Sequence, residues 1–132
     1  MKGVATKTVL LVEDDADIRD SLQDILEEEG FDVVPAANGK QAIDFLTLNE
    51  PIGADLVVLD LLMPMVSGWE VLERMTADPR LNDIPVLVLS AAAAPMPERA
   101  QAFVRKPFSL EAFVSKVHCV VDRPMRAADE LF

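Results

Sequence analysis

Leu56-Val57-Val58-Leu59-Asp60-Leu61-Leu62-Met63-Pro64-Met65-Val66-Ser67-Gly68 is the stretch on which the reading of this chain turns. Four aliphatic residues in a row have the length and character of a strand buried on both faces, and the run ends in a carboxylate. An acid there is a common way to leave a core and cap the next turn. It is also where open α/β sheets hold their chemistry, outside the carboxyl ends of the strands. What else in the chain reaches the same point decides between the two.

Outward from this run, short aliphatic segments alternate with amphipathic ones, the signature of repeated βα units around a parallel sheet. Thr8 to Val12 reads as the first strand, and Ile18, Leu22, Ile25 and Leu26 recur at helical spacing until Gly30 stops the helix. Phe31 to Ala36 makes a second strand, Asn38-Gly39 turns the chain, and Ala42, Ile43, Phe45 and Leu46 mark a helix ending before Pro51. Leu56 to Leu59 is the third strand, and Val71, Leu72 and Met75 line a short helix that Asp78-Pro79 terminates. Pro85 to Leu89 and Phe103 to Arg105 supply strands four and five. Leu110, Phe113, Val114, Val117 and Val121 give the last helix an apolar stripe that reads as core. Trp69, opening the third helix, reads as a packing residue near the site.

The 132 residues fit one domain with one core. No apolar run approaches the ~18 residues of a membrane span, and the N-terminus has no apolar stretch before a cleavage site. One cysteine, Cys119, excludes an internal disulfide framework and an all-cysteine metal site, which suits a reducing cytoplasm. With 23 acidic residues against 12 basic ones, the net charge of −11 opposes direct nucleic-acid binding. His118 has no ligand set at metal spacing and reads as a surface or helix-end residue.

Parallel strands point their carboxyl ends at one edge, so the topology collects Glu13, Asp14 and Asp15 from strand one, Asp60 from strand three, Ser90 from strand four and Lys106 from strand five. Clustered carboxylates repel one another unless a hard cation with oxygen preference, such as Mg2+, neutralises them. Asp60 can then act as a nucleophile toward phosphorus, while Lys106 and Ser90 suit the equatorial oxygens of a phosphoryl group in transfer.

These motifs resemble the receiver domain of bacterial two-component response regulators from about Thr8 to Val121. The family's acidic pair matches Glu13 and Asp14, with Arg19 at the usual place in the following helix. Its phosphoacceptor matches Asp60, followed at family spacing by Met63-Pro64 and Gly68. Its hydroxyl matches Ser90, its lysine matches Lys106 in Lys106-Pro107-Phe108, where the family usually has a cis peptide bond, and its aromatic switch matches Phe103. The resemblance implies a flavodoxin-like (βα)5 doubly wound fold with a five-stranded parallel sheet of order 2-1-3-4-5. It also implies Mg2+ (or Mn2+) held by Asp14, Asp60 and the backbone carbonyl of Leu62, with Glu13 acting through water and the adjacent Asp15 a further candidate. Asp60 then takes a phosphoryl group from a sensor histidine kinase, a phosphotransfer protein or a small donor, Ser90 moves toward it, and Phe103 turns inward. The domain is not an enzyme in the ordinary sense, although it promotes its own phosphorylation and dephosphorylation.

One departure is plain. Only 16 positions separate Ser90 from Lys106, whereas a typical helix takes about 11 residues and a strand about 5, so the usual fourth helix must be shortened, unwound or missing. Pro95 and Pro97 oppose a helix there, and at most Glu98 to Ala102 form a helical turn. Leu62 and Ala92 stand where family members often place polar side chains that influence the hydrolytic water, so slow self-dephosphorylation is expected. Residues 1–121 read as the receiver and 122–132 as a fraying tail whose Leu131-Phe132 could dock. That is the organisation of a stand-alone receiver, although a fragment of a longer chain reads identically. Its output is protein contact with an unidentified target, and a homodimer is left open.

Three other classes share parts of this pattern. An electron carrier of the same fold needs a phosphate-cradling loop where Glu13-Asp14-Asp15 stand. An aspartate-nucleophile phosphohydrolase typically carries a second Asp at the place of Leu62. A receiver used as an interaction module without regulated phosphorylation remains the main competitor.

Overall fold

β3 (Leu56–Asp60) is buried along its whole length and sits at the centre of a five-stranded parallel sheet of order β2-β1-β3-β4-β5. The computed structural model describes residues 6–48, 53–63, 66–91 and 97–121. Within them the other elements are β1 (Thr8–Val12), α1 (Ala16–Glu28), β2 (Asp32–Ala36), α2 (Gly39–Leu48), α3 (Gly68–Ala77), β4 (Val86–Ala91), β5 (Ala102–Lys106) and α4 (Leu110–Val121). The flavodoxin-like order and the parallel register are as the sequence implies. Leu11 pairs with both Pro35 and Val58, Val58 with Leu87, and Leu89 with Val104.

The sheet is doubly wound because alternate residues of each strand face opposite layers. Leu10, Val12, Val57, Leu59, Val86 and Val88 pack with Ala42 and Leu46 of α2 and Val71, Leu72 and Met75 of α3. Val9, Leu11, Leu56, Val58, Leu87 and Leu89 pack with Leu22 and Leu26 of α1 and Phe113, Val117 and Val120 of α4. Burial on both sides is why the central strands read as unbroken aliphatic runs. In α4 Phe113 and Val117 are buried and Val114 and Val121 pack against the same cluster, as expected; Val120 also joins the core, whereas Leu110 is 46% exposed and lines a groove against Ile18 and Leu22.

Helix ends follow local chemistry. The Asp15 carboxylate caps α1 by accepting from the backbone N–H groups of Asp17 (2.9 Å) and Ile18 (3.1 Å). Gly30 follows α1 at φ +98°, a conformation that a side chain would strain. At the start of α3, Ser67 and Glu70 form a reciprocal capping box.

Among the described residues no helix lies between β4 and β5, in line with the short spacing. Pro97 to Ala100 form a single turn, closed by Ala100 N donating to Pro97 O at 3.3 Å, and Ala102 already belongs to β5. The helical turn expected over Glu98–Ala102 is therefore a tight non-helical turn. It is stitched down by Arg99 Nη2, which donates to Ile84 O at 2.6 Å, and by Gln101, whose Oε1 accepts from Val86 N at 2.7 Å. Pro51, Pro64, Met65, Ala92, Pro95 and the 122–132 tail lie outside the described residues. No described helix is long and apolar enough to cross a membrane.

Candidate functional site

Among the described residues Glu13 (1% exposed), Asp60 (4%) and Ser90 (3%) are the buried polar ones, and all stand at the carboxyl edge of the sheet. Burial of such groups is costly without partners, which makes their convergence informative. The turn after β1 is fixed by Glu13 N donating to Ala36 O at 3.1 Å and by Arg19 Nη1 donating to Glu13 O at 2.9 Å. Asp15 N donates to Glu13 Oε2 at 3.1 Å, which aims the Glu13 side chain inward.

Asp60 ends β3, and its Oδ1 accepts from Leu62 N at 3.1 Å. Gly68 lies so close that a Cβ there would come within 2.5 Å of Asp60 O and 2.6 Å of Leu61 Cα. The missing side chain thus lets α3 start against the acid-bearing turn. Lys106 enters from β5 before a cis Lys106–Pro107 peptide. Its Nζ lies 3.3 Å from Asp60 Oδ2 and 3.5 Å from Glu13 Oε1. One cation therefore faces two buried acids.

The electrostatics follow. Burial first, and then the nearby charge of Asp60, push the Glu13 carboxyl up from 4.5 to about 7, against the opposing hydrogen bond from Asp15 N and the charge of Lys106. Burial lowers the pKa of Lys106, but the charges of Asp60 and Glu13 outweigh it and hold the ammonium above its ordinary value.

Oxygens of Glu13, Asp14 and Asp60 lie within 4.8 Å of one another. Glu13 Oε1 is buried and receives no hydrogen bond. An oxygen-only donor set with an unsatisfied buried oxygen fits a hard divalent cation. Asp15 lies outside this group, its carboxylate turned to the α1 N–H groups.

Of the remaining expected site residues, Ser90 lies opposite Arg105 in the β4–β5 register. The Phe103 ring is 42% exposed, with the Arg105 guanidinium 5.1 Å from its centroid. The Leu62 side chain is 65% exposed. Trp69, 40% exposed, lines an open groove with α3 and residues 97–99. His118 bonds Glu29 Oε1 at 2.7 Å, tying α4 to the end of α1. The contact of Arg105 with Phe103 had no sequence signal beyond the two-residue spacing that puts both on one face of a strand.

A buried carboxylate with a lysine and an acidic pair stands at the carboxyl edge of a 2-1-3-4-5 sheet, the arrangement expected of a two-component receiver domain. The model of the response regulator receiver domain matches residues 9–118, and this chain belongs to that family. Transcriptional regulatory protein PrrA of Mycobacterium bovis is 36% identical over 127 residues, which take in 92% of this chain and 52% of PrrA. The chain spans half the length of the curated relatives it matches, or slightly more. The non-phosphorylated HemR receiver domain from Leptospira biflexa is 33% identical with a TM-score of 0.77, covering 90% of this chain and 98% of that one. Response regulator TrrA from Thermotoga maritima, in complex with Mg2+-BeF, is 29% identical with a TM-score of 0.76, covering 87% and 99%.

Proposed function

We propose that Asp60 accepts a phosphoryl group and that this modification switches the protein surface presented to partners. The observation that carries the reading is Asp60, buried at 4% exposure, with its carboxylate 3.3 Å from Lys106 Nζ and beside Glu13 and Asp14. A carboxylate oxygen of Asp60 attacks phosphorus, an O–P bond forms, and the P–N bond of a donor phosphohistidine breaks as the imidazole leaves. With a small acyl phosphate, a P–O bond breaks instead. Lys106 meets the charge on the transferred oxygens, and Ser90 supplies a hydroxyl at the end of β4.

Asp14, Asp60 and the Leu62 carbonyl are the direct ligands proposed for Mg2+ or Mn2+, with Glu13 acting through water. The bound ion supplies charge neutralisation among the acids and on the phosphoryl oxygens. Asp15 is left out of that set because its carboxylate holds the first turn of α1. After phosphorylation Ser90 shifts toward the phosphoryl group and Phe103 turns inward.

The donor protein has a place to dock beside the site. An apolar groove of about 610 Å³ runs from Lys106, Pro107 and Phe108 to Leu110 of α4 and Ile18 and Leu22 of α1. Asp17 lines it, and Asp20 and Asp24 of α1 and Asp14 ahead of that helix are exposed. We assign it to a helix of the donor with an apolar stripe and Lys or Arg on its margins.

The test is labelling by a small acyl-phosphate donor with and without Mg2+. Labelling is expected to require Mg2+ and to vanish in Asp60→Asn, and Mg2+-dependent labelling that survives the substitution overturns the assignment. A second reading, an interaction module without regulated phosphorylation, draws on the altered β4–β5 connection. It predicts no labelling of the intact protein.

A further inference from the structure

Arg105 is not among the residues proposed for the transfer chemistry, yet it neighbours both proposed switch residues. It lies opposite Ser90 in the β4–β5 register. Its guanidinium carbon is 5.1 Å from the centroid of the Phe103 ring. The two side chains share a face of β5, because successive strand residues alternate and Val104 between them is buried on the other side. No described helix intervenes between β4 and β5, and Phe103 is 42% exposed.

An exposed aromatic ring loses the free energy of burial, so an outward pose needs a compensating contact. A guanidinium over the ring face provides one: the cation meets the negative face of the ring, and its plane covers part of the ring from water. We propose that Arg105 is a positioning residue that holds Phe103 outward and so acts as a brake on the switch. The inference rests on the reading of Phe103 as the mobile aromatic. The Arg105 contact opposes release of the ring, whereas phosphorylation of Asp60 favours release through Ser90, whose partner across the β4–β5 ladder is Arg105 itself. An exposed contact of this type biases a two-state equilibrium about two- to fivefold.

The experiment uses the full chain with 4-fluorophenylalanine at its phenylalanines, the Phe103 resonance being assigned from Phe103→Leu. Mg2+ with beryllofluoride serves as the phosphoryl mimic. In the native protein the Phe103 resonance is expected to move when the mimic binds. In Arg105→Ala the free protein's resonance moves part of the way toward that position, and the apparent affinity for the mimic rises by about two- to fivefold, because the competent state is less rare. Arg105→Lys, which keeps the charge without the planar stack, falls between. In a Phe103→Ala background Arg105→Ala leaves the affinity for the mimic unchanged.

An unmoved resonance in Arg105→Ala overturns the proposal, as does an affinity change that persists without Phe103, since that marks a direct effect of the charge. Arg105→Gln supplies the same comparison if the alanine variant is unstable. A Phe103 resonance that ignores the mimic in the native protein refutes the switch reading and the brake with it, whereas a native response that Arg105→Ala does not alter refutes the brake alone.

Discussion

At the scale of single residues, the site is a set of acids stabilised by too few partners. Glu13 is the clearest case: its Oε1 is buried without a hydrogen bond, and its carboxyl titrates near 7. A folded-state pKa above the ordinary 4.5 means that the fold favours protonated Glu13. The associated stability is fully present below pH 4.5 and is lost as pH rises through about 7. Metal-free protein should therefore lose more thermal stability between pH 5 and pH 8 than Glu13→Gln, as measured by melting curves in chelator. Equal slopes would show that Glu13 is not the responsible group. Leu62 makes a second prediction. Its exposed aliphatic side chain cannot orient a water, so label on Asp60 should decay slowly, and Leu62→Asn should hasten the decay followed after removal of the donor. Asp60, Glu13, Asp14 and Lys106 were legible because residue type and strand order suffice to bring them to one edge. Asp15 was not, since three adjacent acids look alike until the backbone decides which one faces the α1 N–H groups.

At the scale of elements, the connections around the site are shaped by backbone demands. Removal of the α1 cap in Asp15→Ala should cost about 1 kcal/mol, a fall of about 4 °C in Tm, while labelling of Asp60 persists. Loss of labelling would instead place Asp15 in the cation site. Gly68 is less tolerant, because a methyl group would press on the backbone of Asp60 and Leu61. Gly68→Ala should cost about 1–3 kcal/mol, the range for overpacking, and should slow labelling as well, since the displaced atoms belong to Asp60, the proposed acceptor, and its neighbour. The strands and helices were legible from their periods. The β4–β5 connection was legible as too short for a helix, but its actual form was not. It depends on Arg99 reaching the carbonyls of Ile84 and Leu81 and on Gln101 pairing with Val86, contacts between segments far apart in the chain.

At the scale of the whole molecule, charge governs association. On the proposed reading Mg2+ would bind the gathered acids of the fold and not the dispersed ones of the unfolded chain, so it should raise Tm progressively with concentration. The increase should be larger at pH 8 than at pH 5, where protonated Glu13 competes with the ion; a pH-independent increase would count against Glu13 as part of the site. The net charge of −11 and the acids along α1 favour a basic donor surface. Phosphoryl transfer from a protein donor should therefore slow as salt rises, while labelling by a small acyl phosphate should change far less. By itself the sequence determined the alternation of strands and helices and the edge at which the acids gather, because period and strand polarity are local and directional. Tertiary structure alone decided that Lys106 serves both Asp60 and Glu13, that Asp15 is spent on a helix, and that Phe103 faces solvent beneath Arg105. Those outcomes depend on distances across β1, β3 and β5 and on which neighbours are absent, and no local pattern in the chain encodes either.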